Sequence, residues 1–338
     1  MSVPLLSVRD LSVRFDLGGT LFGRRRSLTA VDRVSFDLGA GETLGVVGES
    51  GCGKSTLGRA VLRLVEPSAG SILIEGRDLA GLDAAALRAL RRDMQMIFQD
   101  PLAALDPRLT VEQIVAEPLA SFRPELGRPA RRALVAAMLR RVGLAPEHGR
   151  RYPHEFSGGQ CQRIGIARAM MLAPKLVVCD EPVSALDMSI QAQIVNLLVA
   201  LQEEMGQALI FISHNLLIVR HVAHRIAVLY LGRLVELGPA EQVFRAPRHP
   251  YTRALIAAVP VADPLRERAR RPLPVHGEPP SPLDPPSGCA FSTRCPFATE
   301  ICAQQRPALE GPSHAVACHH WQKIEAALTP PTGSASPG

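Results

Sequence analysis

The segment GESGCGKS at residues 48–55 constrains the fold more than any other part of the chain. It follows a continuously apolar run, TLGVVG at 43–48, and leads into a helical stretch that begins near Lys54. Glycines let backbone N–H groups surround phosphate oxygens where side chains would clash, and a helix N-terminus favours an anion. The pattern therefore predicts a phosphate-binding loop between a buried strand and a helix.

Two positions in this loop carry the expected chemistry. Lys54 is expected to reach the outer phosphates, and the Ser55 hydroxyl to ligate magnesium. Cys52 lies beside Lys54 and a helix N-terminus, both of which lower a thiol pKa, but a simple filling role in the loop is the favoured interpretation. The residues predicted to contact the nucleotide here are Gly48, Glu49, Ser50, Gly51, Cys52, Gly53, Lys54, Ser55 and Thr56.

An acidic pair follows a second apolar run, LVVCDE at 176–181. Asp180 is expected to hold magnesium, and Glu181 to orient and deprotonate the attacking water. Carboxylates at a strand end are often only solvated, but an intact phosphate loop upstream favours the catalytic interpretation. FSGGQ at 156–160 opens a helical stretch, so its N–H groups form either a second anion site or a plain helix cap.

The apolar pattern indicates the fold class. Residues 5–15 and 33–38 alternate like half-exposed strands, whereas 43–48 is continuously apolar, and 176–181 and 208–213 are apolar runs that end in polar residues. Helical stretches between the apolar runs predict an α/β fold with a parallel sheet, and ligands then bind outside the carboxyl ends of the strands. Residues from about 110 to 170 are predicted to form a helical insertion.

The motifs in their order resemble the ATP-binding cassette (ABC) ATPases over roughly residues 5–245. Those motifs are GESGCGKST, Gln99 in MIFQDP, FSGGQ, CDEP, SALD at 184–187 and His214 in FISH. The resemblance implies a P-loop NTPase with a parallel core sheet, an antiparallel β edge and a helical subdomain. It also implies ATP and Mg²⁺ as ligands, and two subunits facing head to tail, so that SGGQ of one closes over the γ-phosphate held by the other.

The resemblance also implies roles for single residues. Gln99 would sense the magnesium site, Asp187 would communicate across the dimer, and His214 would contact the γ-phosphate. Phe15 would stack on adenine, with Phe22 as the competing candidate. Beyond the phosphate loop, the implied ATP contacts are Phe15, Gln99, Ser157, Gly158, Gly159, Gln160 and Asp187. The implied catalytic residues are Glu181, His214 and Lys54, and the implied magnesium ligands are Ser55, Gln99 and Asp180.

Longer stretches resemble the ATPase subunits of oligopeptide/dipeptide permeases, among them 94–111, 181–198 and HPYTRALIAAVP at 249–260. LFGRRR at 21–26 and STLGRAVLRLVEP at 55–67 resemble the second of two such subunits. The resemblance implies import of peptides, or of a related substrate such as a nickel chelate or glutathione. The implied partners are a second ATPase subunit, like or unlike this one, two transmembrane permease subunits and an extracytoplasmic binding protein.

Composition limits the other function classes. The net charge is +6, but the arginines are scattered and aromatic residues make up only 4%, which argues against a nucleic-acid partner. No apolar run approaches the ~18–20 residues of a membrane span, and no signal peptide is evident, so a peripheral position on the cytoplasmic face of the inner membrane is expected. A soluble ABC protein of DNA repair or translation would normally show a coiled-coil insertion or two cassettes. A nucleotide-gated scaffold without turnover would not need Glu181 and His214.

Two loops or segments outside the catalytic motifs also have expected roles. The segment 98–107 presents apolar side chains after Gln99, so Leu102 and Leu105 are predicted to dock the membrane partner.

Nine prolines in residues 260–287 predict a stiff connector. The expected division is 1–245 for the ATPase domain, 246–287 for a helix and the connector, 288–322 for a small cysteine-rich segment outside the cassette, and 323–338 for a tail that does not pack.

The chain has seven cysteines, and four of them, Cys289, Cys295, Cys302 and Cys318, fall in the short segment 288–322. Disulfides are disfavoured in the cytosol, and so short a segment needs a staple. The gaps are wide for zinc, and Cys295 precedes a proline, which favours a structural or redox-regulatory iron–sulfur cluster. The resemblance to the permease ATPases implies a 4Fe–4S cluster on these four residues. Zinc, with His314, His319 or His320 as substitute ligands, and unliganded thiols remain the alternatives.

The other two cysteines have simpler expected roles. Cys179 lies within an apolar run and is expected to be a small core residue. Cys161 follows SGGQ and is expected on a helix surface.

Overall fold

The computed structural model describes residues 3–18, 27–259, 275 and 277–328. The strands within these ranges are β1 (Leu6–Asp16), β2 (Ser27–Leu38), β3 (Thr43–Val47), β4 (Ala69–Ile74), β5 (Arg77–Asp78), β6 (Met94–Ile97), β7 (Leu176–Asp180), β8 (Ala208–Ile212), β9 (Arg225–Tyr230), β10 (Arg233–Pro239) and β11 (Ala315–Val316). The helices are α1 (Lys54–Val61), α2 (Ala84–Leu90), α3 (Val111–Phe122), α4 (Arg128–Arg141), α5 (Gly158–Met170), α6 (Met188–Met205), α7 (Leu216–Val222), α8 (Ala240–Arg245), α9 (Pro250–Ala257), α10 (Glu300–Gln304) and α11 (Trp321–Leu328).

The larger sheet has the strand order β11-β10-β9-β3-β8-β7-β6. Strands β9, β3, β8, β7 and β6 run parallel, and β10 and β11 continue the sheet in antiparallel register. Every residue of β3, β7 and β8 is buried, as expected for apolar strands covered on both faces. The predicted α/β fold with a parallel core is confirmed, and the phosphate loop, the acidic pair and FISH all follow carboxyl ends of its strands.

A second, antiparallel sheet has the order β2-β1-β4-β5. Its apolar residues, such as Leu6, Val8 and Leu38, form one core cluster with Leu57 of α1 and Ile210 of β8. Strand β2 is longer than the stretch 33–38 that the alternation predicts. This sheet provides the predicted antiparallel edge of the cassette and supports α1 behind the phosphate loop.

The insertion between β6 and β7 is helical, as predicted. Helices α3, α4 and α5 lie within residues 110–170, and two 3₁₀ turns, 146–150 and 153–155, connect α4 to α5. Thr110 begins α3 with a capping box, in which its hydroxyl accepts from the Gln113 amide while the Gln113 side chain accepts from the Thr110 amide. Ile114 of α3 and Ile164 of α5 belong to one core cluster, so the insertion is packed onto the cassette.

The cysteine-rich segment is attached to the edge of the core sheet. Its strand β11 pairs with β10, with Glu236 opposite Val316 and Leu237 opposite Ala315. Buried Glu236 lies 2.6 Å from His314 Nε2 and accepts hydrogen bonds from the amides of Arg248 and His249. The sequence suggested that this segment lies outside the cassette. The structure instead adds its strand to the core sheet.

Two further expectations concern the ends of the C-terminal region. Helix α11 (Trp321–Leu328) extends into the stretch expected to be an unpacked tail, and Ile324 on it is buried. Residues 329–338 and most of the proline-rich connector lie outside the described residues. Among the helices that the structure describes, none is long and apolar enough to cross a bilayer.

Candidate nucleotide site

The phosphate loop connects β3 to α1, and its glycines are required by both conformation and space. Gly48 and Gly53 have φ angles of 153° and 103°. A Cβ atom would lie 2.1 Å from the Leu229 carbonyl oxygen at Gly48, and 2.0 Å from the Ala30 carbonyl oxygen at Gly53. The Lys54 Nζ donates to the carbonyl oxygens of Gly48 and Glu49, at 2.9 Å each, inside the curve of the loop.

Asp180 ends β7 directly beneath the start of α1. Ser55 Oγ donates to Asp180 Oδ1 at 2.6 Å, and Arg59 Nη2 lies 3.5 Å from Asp180 Oδ2. Asp180 is buried, so these two partners offset the cost of removing its charge from water. A hydroxyl and a carboxylate adjoining the phosphate loop are the oxygen ligands that Mg²⁺ prefers.

Glu181 follows in an unusual backbone conformation, with φ 45°. A non-glycine residue in the left-handed region is strained, and such strain concentrates at functional sites. Its amide donates to the Ile212 carbonyl oxygen of the neighbouring strand, at 3.1 Å. Its Oε2 atom lies 3.1 Å from His214 Nδ1 and 3.4 Å from Gln99 Nε2. Three residues that are far apart in sequence therefore meet around one carboxylate.

A cavity of about 550 Å³ adjoins the loop and these three side chains. It is lined by Phe15, Leu28, Thr29, Ala30, Ser50, Gly51, Cys52, Gly53, Lys54, Ser55, Thr56, Gln99, Glu181, His214, Leu231, Gly232 and Pro282. Phe15 is half-exposed on this wall, as a ring that stacks on a base requires, whereas Phe22 lies outside the described residues. Residues 28–30, 231–232 and 282 also line the cavity but belong to no sequence motif, so the sequence does not predict them.

The SGGQ segment lies apart from this cavity within the chain. Ser157 caps α5 and accepts from the Gln160 amide, and both Ser157 and Gly158 are exposed. Gly159 has a packing role as well, since a Cβ there would lie 2.6 Å from Ile190 Cγ2 of α6. Asp187 caps α6, and hydrogen bonds from the Ile190 amide and the Ser189 hydroxyl lower the pKa of its carboxyl.

Two cysteine expectations are corrected by burial. Cys52 is buried, and desolvation raises the pKa of its thiol despite the attraction of Lys54, so the expected lowering is wrong. Cys161 is fully buried, with Sγ 3.5 Å from the Pro153 carbonyl oxygen, and is not a helix-surface residue. Cys179 is a core residue of β7, as expected, and burial raises its pKa to about 12.

The four C-terminal cysteines converge on one narrow cavity. Burial raises the pKa of Cys295 to about 11 and that of Cys318 to about 12, and the charges of the neighbouring cysteine thiolates add to this effect. Across the described residues, no three His, Cys, Asp or Glu side chains form a group that could hold a metal ion. His314 is bonded to Glu236 and does not line this cavity, so it is a poor candidate for a substitute ligand. The lining residues are His249, Pro250, Cys289, Phe291, Ser292, Cys295, Phe297, Cys302, Cys318, His319, His320 and Ile324.

The fold and the site define an ATP-hydrolysing P-loop protein of the ATP-binding cassette class. Residues 31–184 match the ABC transporter family, and residues 235–302 match the C-terminal region of the oligopeptide/dipeptide transporters. The chain belongs to the oligopeptide/dipeptide transport branch of the ABC transporter ATP-binding proteins.

Relatives along the whole chain support this assignment. The chain is 56% identical over 318 residues to the oligopeptide transport ATP-binding protein OppF of Salmonella typhimurium, covering 93% of this chain and 95% of that protein. It is 51% identical to the di/tripeptide transport ATP-binding protein DppF of Pseudomonas aeruginosa, covering 95% and 98%. The ATP-binding cassette MJ0796, solved as a dimer after hydrolysis with ADP and phosphate bound, is similar with a TM-score of 0.63 and 28% identity over 70% of this chain and 98% of that one.

Proposed function

We propose that this chain is the ATPase subunit that drives import of di- or oligopeptides through a membrane permease. The observation that carries the proposal is the similarity to peptide-transport ATPases over more than nine-tenths of the chain, together with the Gln99–Glu181–His214 arrangement at the phosphate loop. A related small substrate, such as a nickel chelate or glutathione, is the alternative, because the membrane subunits and the binding protein would select the cargo.

The catalytic roles follow from the geometry around Glu181. Bound ATP would place its outer phosphates at Lys54 and the loop amides, and Ser55 and Asp180 would hold Mg²⁺. Glu181 would take a proton from the attacking water, while His214 and Gln99 orient its carboxylate. Phe15 would stack on the adenine at the far wall of the cavity.

The second half of the catalytic site would come from a second ATPase subunit. Exposed Ser157 and Gly158 lie at the N-terminus of α5, where the helix field favours a phosphate, yet they do not line the cavity of their own chain. A facing subunit, the same or unlike, would bring its own SGGQ there, with Asp187 near the contact.

The membrane partner would dock beside the loop that follows Gln99. Leu102 is 54% exposed, which suits a docking residue, but Leu105 is only 2% exposed and belongs to the core. Leu102 is therefore the docking candidate, whereas the expected docking role of Leu105 is wrong because that side chain is buried in the core. Two permease subunits, fed by an extracytoplasmic binding protein, would hold the ATPase at the cytoplasmic face of the membrane.

The four cysteines would hold an iron–sulfur cluster, with zinc as the alternative. Four thiols around one cavity are a suitable donor set for either, because thiolates are soft ligands. A single zinc ion needs its sulfurs about 2.3 Å from one centre, and zinc sites usually use closely spaced cysteine pairs. A cluster spreads its ligands over several corners, which suits the wide spacing better. Its role would be structural or redox-regulatory.

Transport assays test the proposed function. The subunit, co-expressed with the two membrane proteins encoded in neighbouring reading frames, should co-purify with them. In proteoliposomes the complex should hydrolyse ATP faster when a peptide-loaded binding protein is added, and a Glu181→Gln version should import no peptide. Peptide uptake that is independent of ATP, or no complex with the membrane proteins, would contradict the proposal.

A further inference from the structure

Two contacts from outside the ATP cavity reach the phosphate loop at Glu49. The Glu49 amide donates to Tyr251 Oη at 2.7 Å, and its carboxylate oxygens lie 3.1 and 3.0 Å from Arg294 Nη1. Tyr251 belongs to HPYT on α9, and Arg294 to CAFSTRC in the cysteine-rich segment. Both contacts bridge more than 200 residues of sequence.

Arg294 is fixed by its surroundings. Only 11% of its side chain is exposed, and its guanidinium lies 6.0 Å from the Tyr230 ring centre and 5.9 Å from that of Phe291. The Tyr230 and Tyr251 rings are 4.6 Å apart, and Phe291 packs against both, at 5.3 and 5.4 Å. The Arg294 guanidinium that pairs with Glu49 is therefore held in place by a packed cluster of aromatic rings.

The same cluster borders the cysteine cavity. Phe291 lines that cavity and also contacts Tyr230 and Tyr251. Phe291 and Arg294 lie in the stretch between Cys289 and Cys295, and the Arg294 amide donates to the Phe291 carbonyl oxygen at 3.0 Å. A short, packed route thus connects the cysteine cavity with the phosphate loop.

The ion pair also matters for the charge of the loop. Glu49 adds a carboxylate to a loop that has to accept a polyphosphate, and an unpaired negative charge there would repel the nucleotide. Arg294 neutralises this carboxylate on the side away from the cavity, while Tyr251 fixes the backbone of the same residue.

We infer that Arg294 is a positioning residue of the phosphate loop, through which the cysteine-rich C-terminal segment sets the affinity for nucleotide. This inference rests on the proposed nucleotide site but extends it, because it gives the C-terminal segment control over ATP binding. Arg294 itself touches no nucleotide; it acts through Glu49.

Calorimetric titration of the full-length protein with MgADP tests the inference. Arg294→Ala should weaken MgADP binding about tenfold, equivalent to ~1.4 kcal/mol, and Arg294→Lys should restore part of the loss. The matched control is Arg306→Ala. Arg306 lies in the same segment and forms an ion pair with Asp32 at 3.0 Å, but it does not contact the loop. Arg306→Ala should bind MgADP like the wild type.

A second set of variants, made in the Glu49→Gln protein, tests whether Arg294 influences MgADP affinity through Glu49. In Glu49→Gln, the further change Arg294→Ala should cost little affinity, since the carboxylate to be neutralised is gone. Equal affinities for Arg294→Ala and Arg306→Ala, or an undiminished loss in the Glu49→Gln background, would overturn the inference. Because MgADP binding needs neither turnover nor a permease, failed hydrolysis or uptake by the wild type would contradict the proposed function and leave this comparison valid.

Discussion

His214 Nδ1 lies 3.1 Å from Glu181 Oε2, and this contact joins the carboxyl ends of two neighbouring parallel strands, β7 and β8. Gln99, after β6, places its Nε2 atom 3.4 Å from the same oxygen. The order of three strands in the sheet thus determines the surroundings of one carboxylate. Gln99 and His214 thus orient the Glu181 carboxylate, which is the arrangement expected of a general base.

Replacing Glu181 with Gln should slow ATP hydrolysis by roughly 10²–10⁴-fold, the usual contribution of a general base. The amide keeps the size of the side chain and can still contact Gln99 and His214, so MgATP binding should be preserved. Single-turnover hydrolysis and equilibrium binding measure the two effects separately. Turnover within a few-fold of the wild type would remove Glu181 from the role of base.

The sequence predicted the phosphate loop, the acidic pair and the parallel core because each depends on local pattern. GESGCGKS needs its glycines for local conformation, and strands β3, β7 and β8 are short, mainly apolar runs that are buried along their whole length. Strand β9 and the residues that line the cavity from its far side, 28–30 and 231–232, were not identified. Their roles come from tertiary position, which no periodicity encodes.

The corrected residues share one physical cause, which is burial that the sequence does not reveal. Leu102 and Leu105 lie three residues apart in one loop, yet one is exposed and the other buried. Cys52 and Cys161 follow glycine-rich segments that look accessible, and both thiols are enclosed by packed neighbours. Tyr251 lies in HPYTRALIAAVP, a stretch that resembles the permease ATPases. Its contact with Glu49, however, depends on the packing of α9 against the loop.

A second prediction concerns Ser157. Ser157→Arg should abolish steady-state ATP turnover, because a large cation at the N-terminus of α5 opposes the helix dipole and fills the space of a facing phosphate. Nucleotide binding by the isolated subunit should be unchanged, since the phosphate loop of the same chain is not altered. Lys54→Ala is the matched comparison and should lose binding directly.

Titration of both purified variants with MgATP under conditions that keep the subunit monomeric separates these effects. If Ser157→Arg lost affinity as severely as Lys54→Ala, SGGQ would act within its own chain, and the two-subunit arrangement would be wrong.

Leu102 and Leu105 provide a third, paired prediction. Leu105→Ala should lower the free energy of unfolding by about 2–5 kcal/mol, because it opens a cavity in the packed core. Leu102→Ala should change it by less than about 0.5 kcal/mol. Urea denaturation measures both. In the assembled transporter, Leu102→Asp should reduce peptide uptake per ATP hydrolysed, and unchanged uptake and assembly would count against docking at this loop.

The last prediction concerns the cysteine cavity. Burial raises the pKa of the Cys289, Cys295 and Cys318 thiols, so binding of a metal to their thiolates must release protons, and metal affinity should increase with pH. Protein purified without oxygen should be brown, with broad visible absorbance and about four irons per chain if one 4Fe–4S cluster is present. Stoichiometric zinc in a colourless preparation, or no metal at all, would contradict the cluster.

Cys302→Ser supplies the matched variant, because Cys302 is buried beside the other three thiols. It should lose the metal and lower the unfolding temperature of the C-terminal segment. MgADP should still bind, weakened no further than in Arg294→Ala, since Lys54, Ser55 and Asp180 are held by the core sheet and α1. Complete loss of nucleotide binding in Cys302→Ser, with the core sheet still folded by circular dichroism, would show that the segment supports more of the site than the contacts at Glu49.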